Sequence, residues 1–377
     1  MIVKIELYSA FYKNVLKNIF FQFDPELIHN LVVKIGETQG HLPLLKKFLK
    51  TNFGKTAPAL RQKIAGIEFK GPLGLAAGFD YNAQLTQILP SVGFGFQTVG
   101  TITNLPYEGN PKPILGRLPK SKSLMVNKGF KNKGAREIAN KLSKLSFTIP
   151  LGISVGQTNS RQKVEQSEIR LRRNAIEDIL SAFKVFEDSN IKNAYYELNI
   201  SCPNLYGNIT FYPPKNLEEL LIEVYKLKLK KPVVIKMPIN ETDEQTLKML
   251  DVILRHKIAG VIFGNLQKDR KNPAIVKEEI KWKFGNFSGL PTQKRSDELI
   301  ALAYKYCGSK LVIIGCGGIF SATDAYRKIK LGASLGQLIT GLIYEGPLLV
   351  AQINQELPGL LKRDGFKHIS EAIGTEN

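Results

Sequence analysis

Two side chains in this 377-residue sequence occupy positions where they are expected to do chemistry. Cys202 follows an apolar run and lies in the polar turn Asn199-Ile-Ser-Cys202-Pro-Asn204. Because structural cysteines usually have apolar neighbours, this thiol, with an ordinary pKa of about 8.5, is predicted to accept a proton. Lys236 lies inside the apolar run 232–237, where an ammonium group needs an anionic partner or a lowered pKa. The alternative for Lys236 is a strand-end side chain that reaches solvent.

Cys202 is predicted to act as a base instead of a nucleophile. A nucleophilic cysteine needs a histidine partner, and none of the four histidines follows an apolar run. The same scarcity argues against a histidine-rich zinc site, and no metal site is predicted. With only three cysteines, the chain is expected to carry thiols in a reducing compartment and no disulfide framework.

Glycine-rich segments near the end of the chain are typical of a phosphate site. Gly315-Cys-Gly-Gly318 and Ile339-Thr-Gly341 each follow an apolar run. Glycines let backbone N–H groups approach a phosphate closely, and a helix start beside them adds donors. A tight turn without a ligand is the alternative.

Eight short apolar runs, each followed by a stretch of helical length, must position these residues. This alternation predicts a (β/α)8 TIM barrel, with a doubly wound open sheet as the alternative, and the count of eight favours closure. A short hairpin at 67–70 is expected to close the barrel bottom, and the long inserts 104–132 and 266–292 are candidate lids. The runs are 73–79, 94–103, 150–156, 194–201, 232–237, 260–265, 311–318 and 335–341.

The division predicted for the chain is a helical extension over 1–60, the barrel over 61–360 and a tail over 361–377. In the extension, Asp24 and Pro25 are suited to the N-cap and the first helical position. Leu27, Leu31 and Ile35 then form an apolar stripe. These short amphipathic helices are expected to meet the barrel, a partner, a ligand or a membrane interface with part of their apolar surface.

The charge balance is strongly basic, with 53 Lys and Arg against 33 Asp and Glu, a net charge of +20. Such a surface attracts nucleic acid, anionic lipid or anionic metabolites, although lysines spread along the whole chain also fit an ordinary solvated surface. No uncharged apolar run approaches the about 18 residues of a spanning helix. The N-terminus lacks the pattern of a secretory signal, so export is not expected.

Taken together, these motifs resemble dihydroorotate dehydrogenase. The resemblance spans about residues 11–357 and rests on Gly74-Leu-Ala-Ala-Gly78, the Asn199–Asn204 turn, the strand around Lys236, Ser288-Gly289, and Gly318 with Gly332-Ala-Ser334. The segment from Phe21 to His29 resembles the helical extension of the class 2, membrane-associated, quinone-reducing branch.

The resemblance implies an FMN cofactor, oxidation of dihydroorotate to orotate in pyrimidine biosynthesis, and transfer of electrons to a quinone. Cys202 would take a proton from C5 of the substrate while a hydride passes from C6 to the flavin, and Lys236 would stabilise the reduced flavin. FMN contacts are implied at Ala77, Gly78, Tyr81, Thr101, Ser154, Asn199, Lys236, Gly264, Gly289, Gly318, Ile339 and Thr340. Substrate contacts are implied at Asn127, Lys128, Gly129, Phe130, Asn199, Asn204 and Asn265, and quinone contacts at His29 and Arg117. The protein is then expected on the cytoplasmic side of the cell membrane as a peripheral protein, with no nucleic-acid partner.

The sequence also departs from the family pattern. Class 2 members usually have serine where Cys202 stands, and a cysteine there resembles the soluble class 1 enzymes. Tyr81 and Ser154 replace an expected lysine and asparagine, Leu266 replaces a substrate-binding threonine, and Val126-Asn-Lys-Gly-Phe130 has its asparagine one place late. An FMN-dependent enzyme acting on another pyrimidine-like substrate, including tRNA dihydrouridine synthesis, is therefore the alternative function.

Overall fold

A closed eight-stranded parallel barrel forms the centre of the computed structural model, which describes residues 2–160, 167–206, 209–276 and 281–377. The barrel predicted from the eight apolar runs is confirmed, and each strand lies inside its predicted run. Around the barrel the strands keep their chain order, and the last pairs with the first. They are β1 (Leu73–Leu75), β2 (Phe96–Ile102), β3 (Leu151–Val155), β4 (Tyr195–Asn199), β5 (Val233–Met237), β6 (Gly260–Phe263), β7 (Val312–Cys316) and β8 (Leu335–Leu338).

An antiparallel hairpin closes the amino-terminal end of the barrel, as predicted. Its strands, Gln62–Ile64 and Ile67–Phe69, pair directly. Phe69 is buried against Phe96 of β2, edge to face, with ring centroids 5.3 Å apart. The bottom is therefore sealed by apolar side chains, and the opposite, carboxyl-terminal end is left for the loops that carry chemistry.

Helices surround the barrel and bury their apolar faces against the strands. The C-terminal segment after them also packs against the barrel, since Ile369 and Ala372 are fully buried in the same core as the last helix. The helices of the barrel region are α5 (Ala135–Leu142), α6 (Glu168–Asp188), α7 (Pro214–Lys226), α8 (Asp243–Leu254), α9 (Gln293–Cys307), α10 (Ala322–Lys330), α11 (Thr340–Glu345) and α12 (Leu349–Arg363). We number them after the four helices of the extension, α1 (Ile2–Phe11), α2 (Lys17–Phe20), α3 (Pro25–Gly40) and α4 (Pro43–Phe53).

The start of α3 follows the sequence prediction. The Asp24 carboxylate accepts hydrogen bonds from the backbone N–H groups of Glu26 and Leu27, both at 2.9 Å, and Pro25 occupies the first turn. A capped helix start of this kind typically stabilises a helix by about 1 kcal/mol. Because α1 runs through a π-helical turn (Tyr12–Leu16) into α2, the chain forms one nearly continuous rod before Asp24.

The extension contacts the barrel through buried apolar residues, among them Ile5, Val33 and Phe53, and through charged residues of α3. Glu26 pairs with Lys131 at 2.8 Å and Glu37 with Lys141 at 2.6 Å, so charged residues of α3 face the barrel. The predicted stripe of Leu27, Leu31 and Ile35 is exposed instead. The sequence left packing on the barrel open for the apolar surface of the extension, and part of that surface does pack there, whereas this stripe remains exposed.

The two long inserts meet over the mouth of the barrel. Strands Leu115–Leu118 and Ser123–Val126 of the first insert form an antiparallel sheet with Asn286–Phe287 of the second. We call this three-stranded unit the cover sheet. Two segments about 160 residues apart in the chain are thereby fixed above the same strand ends, as expected for loops that form a site.

Candidate active site

A large cavity opens at the carboxyl-terminal end of the barrel, below the cover sheet. It contains about 1160 Å³ of empty space, counting the part that is open to solvent. Its wall includes the ends of seven of the eight strands or the loops after them, the cover sheet, and His29 from the extension.

Most of the residues predicted for the site line this one cavity. They are His29, Ala77, Gly78, Tyr81, Thr101, Lys128, Gly129, Phe130, Asn199, Cys202, Asn204, Lys236, Gly264, Asn265, Gly289, Gly318, Ile339 and Thr340. Three others lie behind the wall. Ser154 is buried beneath Thr101, with their hydroxyl oxygens 2.9 Å apart. Asn127 accepts a hydrogen bond from Asn110 at 3.0 Å, and Arg117 contacts the extension.

Lys236 has the anionic partner that its buried position requires. Its ammonium nitrogen lies 4.0 Å from Oε1 of Glu197, and the two side chains are 5% and 0% exposed. Glu197 was not among the residues predicted from the sequence. Its signal was a charged residue in the apolar run 194–201, the same pattern that identified Lys236.

Cys202 faces the cavity with its thiol in a poorly solvated environment. Burial raises the pKa of the thiol to about 12, although the backbone N–H of Asn204 and the charge of Lys236 act in the opposite direction. This differs from the ordinary value expected from the sequence, because the turn is polar in composition but removed from water. At neutral pH the thiol is thus protonated before a reaction partner is bound.

The glycine-rich loops after β6 and β7 form a tightly packed cradle on the cavity wall, where a larger residue would clash with neighbouring segments. At Gly318 the backbone has φ +69°, and an added Cβ would lie 2.3 Å from Cβ of Gln293. At Gly289 the backbone has φ +79°, and an added Cβ would lie 2.3 Å from the carbonyl oxygen of Lys122. Beside them, the hydroxyl oxygens of Ser288 and Thr340 are 2.8 Å apart. Two glycine-rich loops and two hydroxyls therefore lie together on the cavity wall, a combination typical of phosphate sites.

Asparagines link the turn after β4 to the cover sheet. Asn204 donates to the carbonyl of Val126 at 3.0 Å and accepts from Asn286 at 2.7 Å, while Asn110 donates to the carbonyl of Asn204 at 2.9 Å. Asn110 and Asn286 were missed by sequence analysis, because nothing local distinguishes them from other loop asparagines. Their hydrogen bonds fix the cover sheet against the turn that carries Cys202.

A profile of the dihydroorotate dehydrogenase family matches residues 59–361. The chain belongs to the dihydroorotate dehydrogenase family. It is 36% identical to "Dihydroorotate dehydrogenase (quinone)" of Sulfurovum sp. (strain NBC37-1) over 96% of this chain and 97% of that protein. It is also 36% identical to the protein of the same name from Christiangramia forsetii, over 92% and 98%. A crystal structure of ligand-free DHODH from Eimeria tenella superimposes with a TM-score of 0.82 at 28% identity, covering 94% of this chain and 99% of that one.

One departure from the dihydroorotate dehydrogenase pattern builds an aromatic and cationic stack at the cavity wall. Tyr81, where the family has a lysine, stacks on His29 with centroids 5.5 Å apart, and the Lys128 ammonium lies 4.6 Å from the Tyr81 ring centroid. Burial lowers the pKa of Lys128 to about 7, with Glu26 raising it and Lys131 lowering it further. Burial, Lys128 and Lys131 hold the pKa of His29 well below its usual range, so the imidazole is neutral.

Arg117, a predicted quinone contact, connects the cover sheet of this dihydroorotate dehydrogenase family member to its extension. The guanidinium donates to the carbonyls of Phe23 at 2.6 Å and Phe21 at 3.3 Å, and it lies 4.7 Å from the Phe21 ring centroid. Burial lowers its pKa, while the nearby Tyr344, Asp24 and Tyr12 raise it. These contacts of Arg117 hold the extension against the cover sheet, which lies over the cavity.

A second cavity adjoins the first behind Cys202. It contains about 950 Å³ of empty space, including its open part, and shares Asn199 and Cys202 with the main cavity. Tyr212 and Lys268 also line it, with the Lys268 ammonium 5.9 Å from the Tyr212 ring centroid. The Cys202 thiol therefore forms part of the wall between two spaces.

Proposed function

We propose that this protein oxidises dihydroorotate to orotate with bound FMN and passes the electrons to a quinone, as a step of pyrimidine biosynthesis. The observation that carries the proposal is the placement of Cys202 and Lys236 on the wall of one cavity that is also lined by the glycine cradle. Membership in the family and two relatives named as quinone-dependent enzymes, matched over nearly their whole length, support it.

The residues at the mouth of the barrel fit FMN. The cradle at Gly289 and Gly318, with the hydroxyl of Thr340, suits its phosphate, and Lys236 at the barrel axis suits its ring. When bound, FMN supplies an acceptor for a hydride, which is one proton together with two electrons. Thr101 and Asn199 would offer hydroxyl and amide groups to the ring, and Ser154 would position Thr101 from behind.

Dihydroorotate is a cyclic amide carrying a carboxylate, and the cavity offers partners for both parts. Asn199, Asn204 and Asn265 present side-chain amides at the wall. Lys128 presents an ammonium group above Tyr81, while neighbouring Lys131 is already paired with Glu26. We therefore assign the substrate's amide edge to the asparagines and its carboxylate to Lys128, which would take over the charge of the lysine that Tyr81 replaces.

Cys202 would take the proton from the substrate, and this makes the reaction dependent on pH. Because burial raises the pKa of the thiol to about 12, the reactive thiolate is a small fraction at neutral pH. That fraction grows about tenfold per pH unit below the pKa, so the rate of flavin reduction should rise almost as steeply between about pH 7 and pH 9. Stopped-flow measurements at saturating dihydroorotate test this, and a rate that levels off near pH 8 would contradict it.

The exposed apolar face of the extension would rest on the membrane, where a quinone is dissolved. Large apolar side chains on all four segments of the extension are exposed, among them Phe11, Ile19, Leu31 and Leu44. Lys34 and Lys47 are exposed close to them in the chain, which suits anionic headgroups. His29 is placed to meet the quinone, since it belongs to the extension and lines the cavity. No helix within the described ranges is long and apolar enough to cross a membrane.

Replacing Leu44 with glutamate is expected to weaken binding to phospholipid vesicles by about 10- to 100-fold, because burying a leucine contributes about 1.5–3 kcal/mol. Leu44 is 84% exposed, so the change leaves the folded core intact. Quinone turnover on vesicles should fall in parallel, while reduction of the flavin by dihydroorotate should not change. Tyr225→Glu on α7 is the matched control, because Tyr225 is exposed on the barrel. Equal loss of binding in both variants would contradict the assignment.

An anaerobic titration with dihydroorotate, followed at the flavin absorption band, tests the function as a whole. The purified protein should be yellow, and one equivalent of dihydroorotate should bleach it. Addition of a quinone should then restore the colour. A protein that binds FMN but is bleached by dihydrouracil and not by dihydroorotate would favour another pyrimidine-like substrate.

A further inference from the structure

Glu197 is a buried acid at the barrel axis to which the proposed reaction gives no role. It lies on β4 between Tyr195 and Asn199, and it is 0% exposed. Its neighbour in register on β3 is Ser154, and Asn199 is the register partner of Lys236 on β5. Glu197 is therefore placed just below the cavity floor, one step deeper in the barrel than the groups that line it.

A directed chain of hydrogen bonds ends on Glu197. Ser154 donates its hydroxyl hydrogen to Oε1 of Glu197 at 2.7 Å. Since that hydrogen is used, the 2.9 Å bond between Ser154 and Thr101 must be donated by Thr101. From first donor to last acceptor, the chain runs through Asn265, Ser201, Asn199, Thr101, Ser154 and Glu197.

The chain ends on the carboxyl group of Glu197, whose Oε1 accepts the last hydrogen bond. Oε2 of Glu197 is also buried and has no hydrogen-bond partner among the described residues. The ammonium group of Lys236, 4.0 Å from Oε1, supplies the opposite charge. The pair therefore places a negative charge beneath the positive charge that faces the cavity.

We propose that Glu197 sets the reduction potential of the bound flavin by offsetting the charge of Lys236. The inference rests on the proposed FMN site. A lone ammonium beside the ring would favour the reduced, more negative cofactor, and a carboxylate next to that ammonium reduces the effect. Glu197 is thus a positioning residue, because it acts through Lys236 and does not line the cavity.

The midpoint potential of the FMN-loaded protein tests this proposal. Glu197→Gln keeps the volume and the acceptor for Ser154 but removes the charge. We expect the potential to become more positive by at least about 30 mV, which corresponds to a tenfold change in the equilibrium constant of a two-electron couple. The dissociation constant of oxidised FMN, measured by fluorescence with the apoprotein, should change by less than the tenfold that corresponds to a shift of about 30 mV.

Two further variants separate charge from structure. Ser154→Ala removes the hydrogen bond to Glu197 but keeps both charges, so its shift should be smaller than that of Glu197→Gln. In a Lys236→Met background, Glu197→Gln should shift the potential by less than half as much, since the pair is then already broken. If Glu197→Gln does not fold, Glu197→Asp, whose carboxylate is withdrawn from Lys236, should give a smaller shift in the same direction.

An unchanged or more negative potential in Glu197→Gln would overturn the inference, and so would an equal shift in the Lys236→Met background. These outcomes are distinct from failure of the proposed function. A protein that binds FMN but is not bleached by dihydroorotate would remove the substrate assignment, yet its midpoint potential would still decide the role of Glu197.

Discussion

Replacing Cys202 with alanine should slow the reduction of bound flavin by dihydroorotate about 10²- to 10⁴-fold, the usual contribution of a positioned base. The thiol lines the cavity together with Lys236 and is hydrogen-bonded by the backbone N–H of Asn204, which orients it. Removing it leaves no other thiol in the same turn. Single-turnover stopped-flow measurements at saturating dihydroorotate would report the loss directly.

Cys316→Ala is the matched control for this experiment. Cys316 lines the same cavity from the end of β7, and burial raises the pKa of its thiol as well. The control should change the rate by only a few fold, whereas Cys202→Ser should retain more activity than Cys202→Ala, since a hydroxyl can still accept a proton. An undiminished single-turnover rate in Cys202→Ala would place the base elsewhere.

Replacing Lys128 with methionine should weaken the binding of orotate and dihydroorotate about 10- to 100-fold. A hydrogen bond to a charged group is worth about 1.5–3 kcal/mol, and Lys128 lies over the Tyr81 ring at the cavity wall with no ion-pair partner among the described residues. Because its pKa is lowered to about 7, the cation is present below that pH and is lost above it. Orotate affinity, read from the flavin spectrum, should therefore also fall as the pH rises past neutrality.

Lys131→Met separates charge at the substrate from charge in general. Lys131 also lines the cavity, but its ammonium is paired with Glu26 at 2.8 Å. This variant should leave orotate affinity within a few fold while loosening the contact with α3. Equal losses in the two lysine variants would show that the cavity responds only to its total charge, and the assignment of the carboxylate to Lys128 would be withdrawn.

The barrel could be predicted from the sequence because its strands are buried on both faces and read as uninterrupted apolar runs. Lys236 could be identified in the same way, because a charged residue within an apolar run needs a specific partner or a lowered pKa. Glu197 carries an equal signal two residues before Asn199, yet only coordinates show that it and Lys236 meet. That contact depends on the register between β4 and β5, which no local pattern encodes.

The orientation of the extension could not be predicted. The periodicity of Leu27, Leu31 and Ile35 predicts a helix with an apolar face, and the helix is present. A pattern of this kind does not say whether the face turns inward, because Glu26 and Glu37 on the other side of the helix find Lys131 and Lys141 only after the chain has folded. Likewise, Lys128 and Tyr81 come from different loops, so their contact is a tertiary result.

Because Cys202 lines both cavities, its position bears on how the enzyme would release the proton it accepts. Substrate bound against the thiol would separate it from water in the main cavity. A proton accepted by Cys202 would then have to leave by another path before the next cycle. The second cavity, lined by Tyr212 and Lys268, would offer such a path, since it also borders Cys202. Release of the proton through the second cavity would then not depend on release of orotate from the main cavity.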